Sequence, residues 1–119
     1  MLTRQFTEEQ TMLREAYRRF LAEAVVPEME RFREQGIVDR EIFKAAGEKG
    51  FLMVWPEERF GGLDDYDVRG GQVIIEELAY ARCADWFGSL HSRIVATYIT
   101  RFGTEEQMKR YIPGAVSCD

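Results

Sequence analysis

Apolar positions recur at helical spacing along almost the whole chain. Leu13, Ala16, Tyr17, Phe20, Leu21, Ala24 and Val25 fall on one helix face, which Met29 and Phe32 continue as far as Gly36. Thr7 with Gln10 three residues later forms a capping box, and Glu8 and Glu9 favour the positive helix start. Pro27 removes a backbone donor, so the pattern predicts one long helix that is kinked or split there. Asp39 is placed to cap a shorter helix carrying Ile42, Phe43, Ala46 and Lys49, with Gly50 as its C′ residue. The run Phe51-Leu52-Met53-Val54-Trp55-Pro56 has the length of a strand, but no second strand exists to pair with it. It reads as a buried extended connector, followed by a loop from Glu57 to Asp67 that contains the turn pair Gly61-Gly62.

Asp67 caps a third helical pattern through Val68, Val73, Ile74, Ile75, Leu78, Ala79 and Ala81. Gly70-Gly71 weakens it by ~1 kcal/mol per glycine relative to alanine, and suits close approach of another chain segment or a ligand. A fourth helix is expected from about Asp85 to Arg101, with Phe87, Leu90, His91, Ile94, Val95, Tyr98 and Phe102 on its buried side. Gly103 stops it. Thr104 with Gln107 opens a final short helix through Met108 and Tyr111, and Pro113-Gly114 is expected to break the pattern. The chain therefore reads as an all-α, up-and-down-like bundle of about five to six helices, a single domain over 1–119.

Composition narrows the partners. The 119 residues carry 16 basic and 21 acidic side chains, a net charge of −5, with both signs interspersed. That balance argues against nucleic acid and anionic membrane surfaces, which need clustered Lys and Arg. No apolar run approaches the ~20 residues of a membrane span. The opening residues lack a secretory h-region, and Cys83 and Cys118 are unpaired in sequence, so reduced thiols in a cytoplasmic setting are expected.

Catalytic groups are sparse. One histidine, His91, and two separated cysteines leave no metal-ligand set. Nucleophile elbow, P-loop and dinucleotide fingerprint are all missing. His91 has Phe87, Gly88, Ile94 and Val95 at helical neighbour positions, so no carboxylate orients it as a base. Cys83 reads as a small buried hydrophobe. Glu76 and Glu77 point about 100° apart on a helix, one expected in solvent and one at an interhelix contact. Trp86 and Phe87, at a helix start, read as core rings or as a ligand wall.

Ordered segments point further. Phe6-Thr7-Glu8-Glu9-Gln10, Ala24-Val25-Val26-Pro27, the loop Pro56-Glu57-Glu58-Arg59-Phe60-Gly61-Gly62-Leu63, the helix end Glu77-Leu78-Ala79 and the stretch Arg101-Phe102-Gly103-Thr104-Glu105-Glu106-Gln107 to Tyr111-Ile112-Pro113 occur in one order. Together they resemble the N-terminal helical domain of the acyl-CoA dehydrogenases, over essentially all 119 residues. Cys83, Ser89-Leu90-His91-Ser92-Arg93-Ile94-Val95 and Tyr98-Ile99-Thr100 are similar to the long-chain branch.

The resemblance implies a homotetrameric flavoprotein with a helical domain, a middle β-domain and a C-terminal helical domain, acting in fatty-acid β-oxidation. Such a parent makes a 2,3-double bond in a fatty acyl-CoA. A glutamate takes the α-proton, FAD accepts the β-hydride, and an electron-transferring flavoprotein removes the electrons. No residue here matches that glutamate or the main flavin contacts, so the chain is expected to be an N-terminal part that is inactive alone. The one carry-over is a wall of the acyl pocket formed by Trp86, Phe87 and Leu90. Long-chain relatives tend to carry small residues where the two rings stand, so the rings imply an early floor, and Trp86→Gly is expected to favour longer chains. The alternative reading is a stand-alone helical interaction module that shows its leftover apolar face to a partner protein.

Overall fold

The computed structural model describes residues 5–64 and 67–119. The opening residues and two positions of the loop before Asp67 lie outside these. Among the described residues there are six α-helices and no strand: α1 Glu8–Phe20, α2 Met29–Gln35, α3 Arg40–Glu48, α4 Val68–Ala81, α5 Ala96–Phe102 and α6 Glu105–Ser117. None is long and apolar enough to cross a membrane.

The helix starts follow their local chemistry. Thr7 Oγ1 accepts from Gln10 N at 3.1 Å, while Thr7 N donates to Gln10 Oε1 at 3.0 Å. Thr104 and Gln107 repeat the exchange at the start of α6. Asp67 accepts from Arg69 N at 2.9 Å. Asp39 has the extended backbone of a cap but makes no capping bond. Its carboxylate instead takes Arg31 Nη2 at 2.7 Å and Gln35 Nε2 at 2.8 Å, and so ties the end of α2 to the start of α3.

Pro27 neither breaks the first helix nor simply kinks it. A π-helical turn, Leu21–Val25, and a 3₁₀ turn, Val26–Glu28, carry the chain past the missing donor into α2. The wide turn lets Leu21, Val25, Met29 and Phe32 all remain buried. The expected connector is extended, with Phe51, Leu52 and Met53 all buried and Phe51 packed on α1. Tyr17 and Phe51 meet edge to face at 5.1 Å, and Phe20 lies 5.3 Å from Phe51.

The helix pair α1 and α4 is locked by a nearly buried carboxylate. Glu77 accepts Arg14 Nη1 at 2.8 Å, Arg18 Nε at 2.7 Å and Arg18 Nη2 at 2.9 Å. Glu76 joins the same contact through Arg14 Nη2 at 2.8 Å and Gln72 Nε2 at 2.9 Å, so both carboxylates of the pair, and not just one, reach the interhelix contact. The two guanidiniums hold the Glu77 carboxyl below the usual carboxylate range in spite of its burial, the Arg18 bond contributing most.

Pro113-Gly114 does not end the last helix, which continues to Ser117. The final turns are held by packing on α3. A Cβ added at Gly47 would lie 2.6 Å from the Ser117 carbonyl oxygen, so glycine permits the crossing. The Cα envelope measures 43 × 39 × 22 Å, about two helix layers thick. A slab this thin leaves many side chains with one side on solvent.

Candidate functional site

The segment between α4 and α5 departs most from regular helix. Arg82 closes α4 in the left-handed conformation, at φ 54°. Ala84–Trp86 form a 3₁₀ turn, and Phe87 reverses the chain at φ 64°. The Phe87 carbonyl then accepts from His91 N at 3.2 Å, and a π-helical turn, Leu90–Val95, leads into α5. The fourth helix thus begins later than Asp85. The reversal allows Trp86 to enter the core at 1% exposure while Phe87 remains 55% exposed.

Trp86 packs between Phe20 at 6.1 Å and Phe43 at 5.2 Å. Its Nε1 has no hydrogen-bond partner. The Tyr17 hydroxyl lies near enough to interact with the indole but falls short of hydrogen-bond geometry, and burial pushes the Tyr17 phenol upward. The indole also lies over Gly88, where an added Cβ would sit 2.2 Å from Trp86 Cζ2.

The predicted site residues divide. Trp86 and Phe87 line one groove of about 430 Å³, together with Met29 and Phe32 of α2, Phe43 of α3 and the intervening Gly36, Ile37 and Val38. Arg33 and Asp85 stand at its edge, joined by two bonds of 2.7 and 3.2 Å. Leu90 does not border it and is 42% exposed. The side of the fourth helix expected to be buried faces outward: Ile94, Val95, Tyr98 and Phe102 are all exposed, and Ser92 and Ala96 are buried in their place. The π turn rotates the face relative to a 3.6-residue period. Sequence reasoning missed the α2–α3 side of the groove. The signal was Ile37-Val38, an apolar pair that belongs to neither helical pattern.

Among the described residues, the titratable side chains of His91 and Cys83 do not converge on a common point. His91 is half-buried and desolvation lowers its pKa; Nδ1 lies 3.2 Å from Ser92 Oγ, and Phe43 is its ring neighbour at 6.1 Å. Burial pushes the Cys83 thiol up to about 11, which makes it inert as a nucleophile. Among the described residues no group of three potential ligands is placed to hold a metal ion.

Residues 7–119 match the family profile of the acyl-CoA dehydrogenase, N-terminal domain. The chain belongs to this family. It is 38% identical over 112 residues to the mitochondrial long-chain specific acyl-CoA dehydrogenase of Sus scrofa, covering 94% of this chain and 26% of that protein. The crystal structure of acyl-CoA dehydrogenase from Geobacillus kaustophilus superposes with a TM-score of 0.88 at 36% identity, over 98% of this chain and 30% of that one. The Bacillus anthracis acyl-CoA dehydrogenase, solved in complex with FAD, gives 0.84 at 31% identity, over 95% of this chain and 19% of that one. The chain thus spans about a quarter of the length of the pig relative.

Within this acyl-CoA dehydrogenase domain, the described residues do not fit a flavin cradle of their own. The Gly61-Gly62 turn folds back on Pro56, whose carbonyl accepts from Asp64 N, and Gly71 faces the Arg93 guanidinium. The unpartnered Trp86 Nε1 belongs to a side chain packed within the core.

Proposed function

We propose that this domain serves as the N-terminal, acyl-facing part of an FAD-dependent dehydrogenase that desaturates fatty acyl-CoA in β-oxidation. The observation that carries the reading is the match of the family's N-terminal domain over residues 7–119, with 38% identity to a long-chain specific enzyme. FAD, bound by the whole enzyme, supplies the hydride acceptor. This chain contributes apolar surface: Phe87 and Leu90 as wall, with Trp86 backing Phe87 from the core. Because Trp86 is core-packed, truncating it changes stability as well as pocket shape, so Leu90 is the cleaner probe. The exposed stripe of Leu90, Ile94, Val95, Tyr98 and Phe102 suits contact with the middle β-domain and C-terminal helical domain of a homotetrameric parent. An electron-transferring flavoprotein as acceptor belongs to the same reading. So does a cytoplasmic location, which the two free thiols fit.

The test is a chimera in which residues 7–119 replace the corresponding domain of the Geobacillus kaustophilus enzyme. A flavin-loaded chimera whose visible absorbance is bleached by long-chain acyl-CoA, with a chain-length profile altered by Leu90→Ala, supports the reading. A soluble, flavin-loaded chimera that no acyl-CoA reduces would overturn it. The 119-residue chain alone, given FAD and acyl-CoA, is expected to show no turnover.

A further inference from the structure

The indole of Trp86 is a buried donor whose proton has no acceptor. Among the described residues Nε1 finds no hydrogen-bond partner. Buried polar groups are nearly always paired, so such a group in a packed core calls for an explanation. Nε1 is bonded to Cε2, and Cε2 lies 2.8 Å from where a Cβ of Gly88 would stand. The Tyr17 hydroxyl lies beside the indole but outside hydrogen-bond geometry, so neither group satisfies the other. Gly88 and Tyr17 both line a narrow cavity of about 20 Å³, together with Phe51, Ile74 and Ser92. Tyr17 and Ser92 are 1% and 2% exposed, so their hydroxyls meet this space away from bulk solvent.

Size and chemistry together select the occupant. A water needs about 10–15 Å³ of such space and at least two polar partners, so the cavity takes one. A wholly apolar chamber would stay dry, but two hydroxyls and an indole N–H border this one. We propose that a single, slowly exchanging water occupies this cavity and joins Trp86 Nε1, Tyr17 Oη and Ser92 Oγ. It accepts from the indole N–H and the phenol O–H and donates to the Ser92 hydroxyl. The Ser92 proton is then free for His91 Nδ1, 3.2 Å away. Leaving the indole N–H unpaired costs more than immobilising one water, which is why the site fills. The water ties α1 to the Trp86 reversal and to the π-helical turn by polar bonds, where the other contacts are apolar. It involves neither flavin nor acyl group, so it stands or falls independently of the dehydrogenase reading.

The experiment is water–indole cross-relaxation by NMR on the full 119-residue chain labelled with nitrogen-15. Trp55 and Trp86 give two indole N–H signals, which Trp55→Phe assigns. The Trp86 signal is expected to show a water cross-peak of opposite sign in NOE and ROE spectra, which neither fleeting surface water nor proton exchange produces. Tyr17→Phe and Ser92→Ala should each keep the cross-peak, because the water still accepts from the indole; this excludes a signal relayed by either hydroxyl proton. Ser92→Val, which fills the space, should abolish it while the Trp86 signal stays dispersed. A native protein without the cross-peak, its loss in Tyr17→Phe or Ser92→Ala, or its survival unchanged in Ser92→Val would overturn the proposal.

Discussion

Glu77→Gln is a sharp test of how α1 is held to α4. The carboxylate is 1% exposed and accepts three charge-assisted hydrogen bonds, one from Arg14 and two from Arg18. The amide keeps the shape but replaces one acceptor oxygen with a donor that faces a guanidinium. Breaking a buried ion pair from one side costs about 3–5 kcal/mol when the remaining charge is stranded. Here the stranding is partial: the Arg18 side chain is 61% exposed and turns to water, and Arg14 keeps Glu76 at 2.8 Å. A loss of about 2–3 kcal/mol is therefore expected, equivalent to roughly 10 °C in Tm for a domain of this size. The effect carries a pH signature. Because the folded-state carboxyl titrates below its unfolded value, its contribution is complete above about pH 4.3 and is lost as pH falls through the folded value. Urea unfolding of both proteins at neutral pH and at successively lower pH reads this directly. A neutral-pH gap under about 1 kcal/mol, or a gap that persists unchanged into acid, would refute the reasoning.

Three further outcomes follow from single contacts. Gly88→Ala places a methyl against the Trp86 ring and should cost about 1–3 kcal/mol, visible as earlier denaturant unfolding with a shifted tryptophan emission. Thr104→Ala removes the α6 capping box and should cost about 1 kcal/mol by the same assay, with Thr104→Ser restoring most of it. In the native protein at pH 8, Ellman's reagent should modify Cys118 ahead of Cys83, which is fully buried with its thiol pushed up to about 11; both should react at once in guanidinium.

What could be read in the sequence is what neighbouring residues decide between themselves. The Thr7 and Thr104 capping boxes, the Asp67 cap and the left-handed close at Gly36 each involve groups only a few positions apart, so spacing alone identifies them. The all-α class follows for the same reason, because an apolar period of 3.6 residues survives whatever the helices later pack against. Pro113 shows the limit: its local signal says stop, but packing of α6 on α3 over Gly47 outweighs a missing donor.

Only the tertiary structure decided which apolar groups are covered and by what. Leu90, Ile94, Val95, Tyr98 and Phe102 form a valid stripe, yet a stripe records that a face avoids water without recording whether its cover comes from the same fold. The π turn at Leu90–Val95 and the reversal at Phe87 sent that stripe outward, Trp86 inward and Phe87 to the lip of a groove. Those choices depend on contacts between residues far apart in the chain, such as Trp86 with Phe20 and Phe43, which leave no periodic trace in the order of the amino acids.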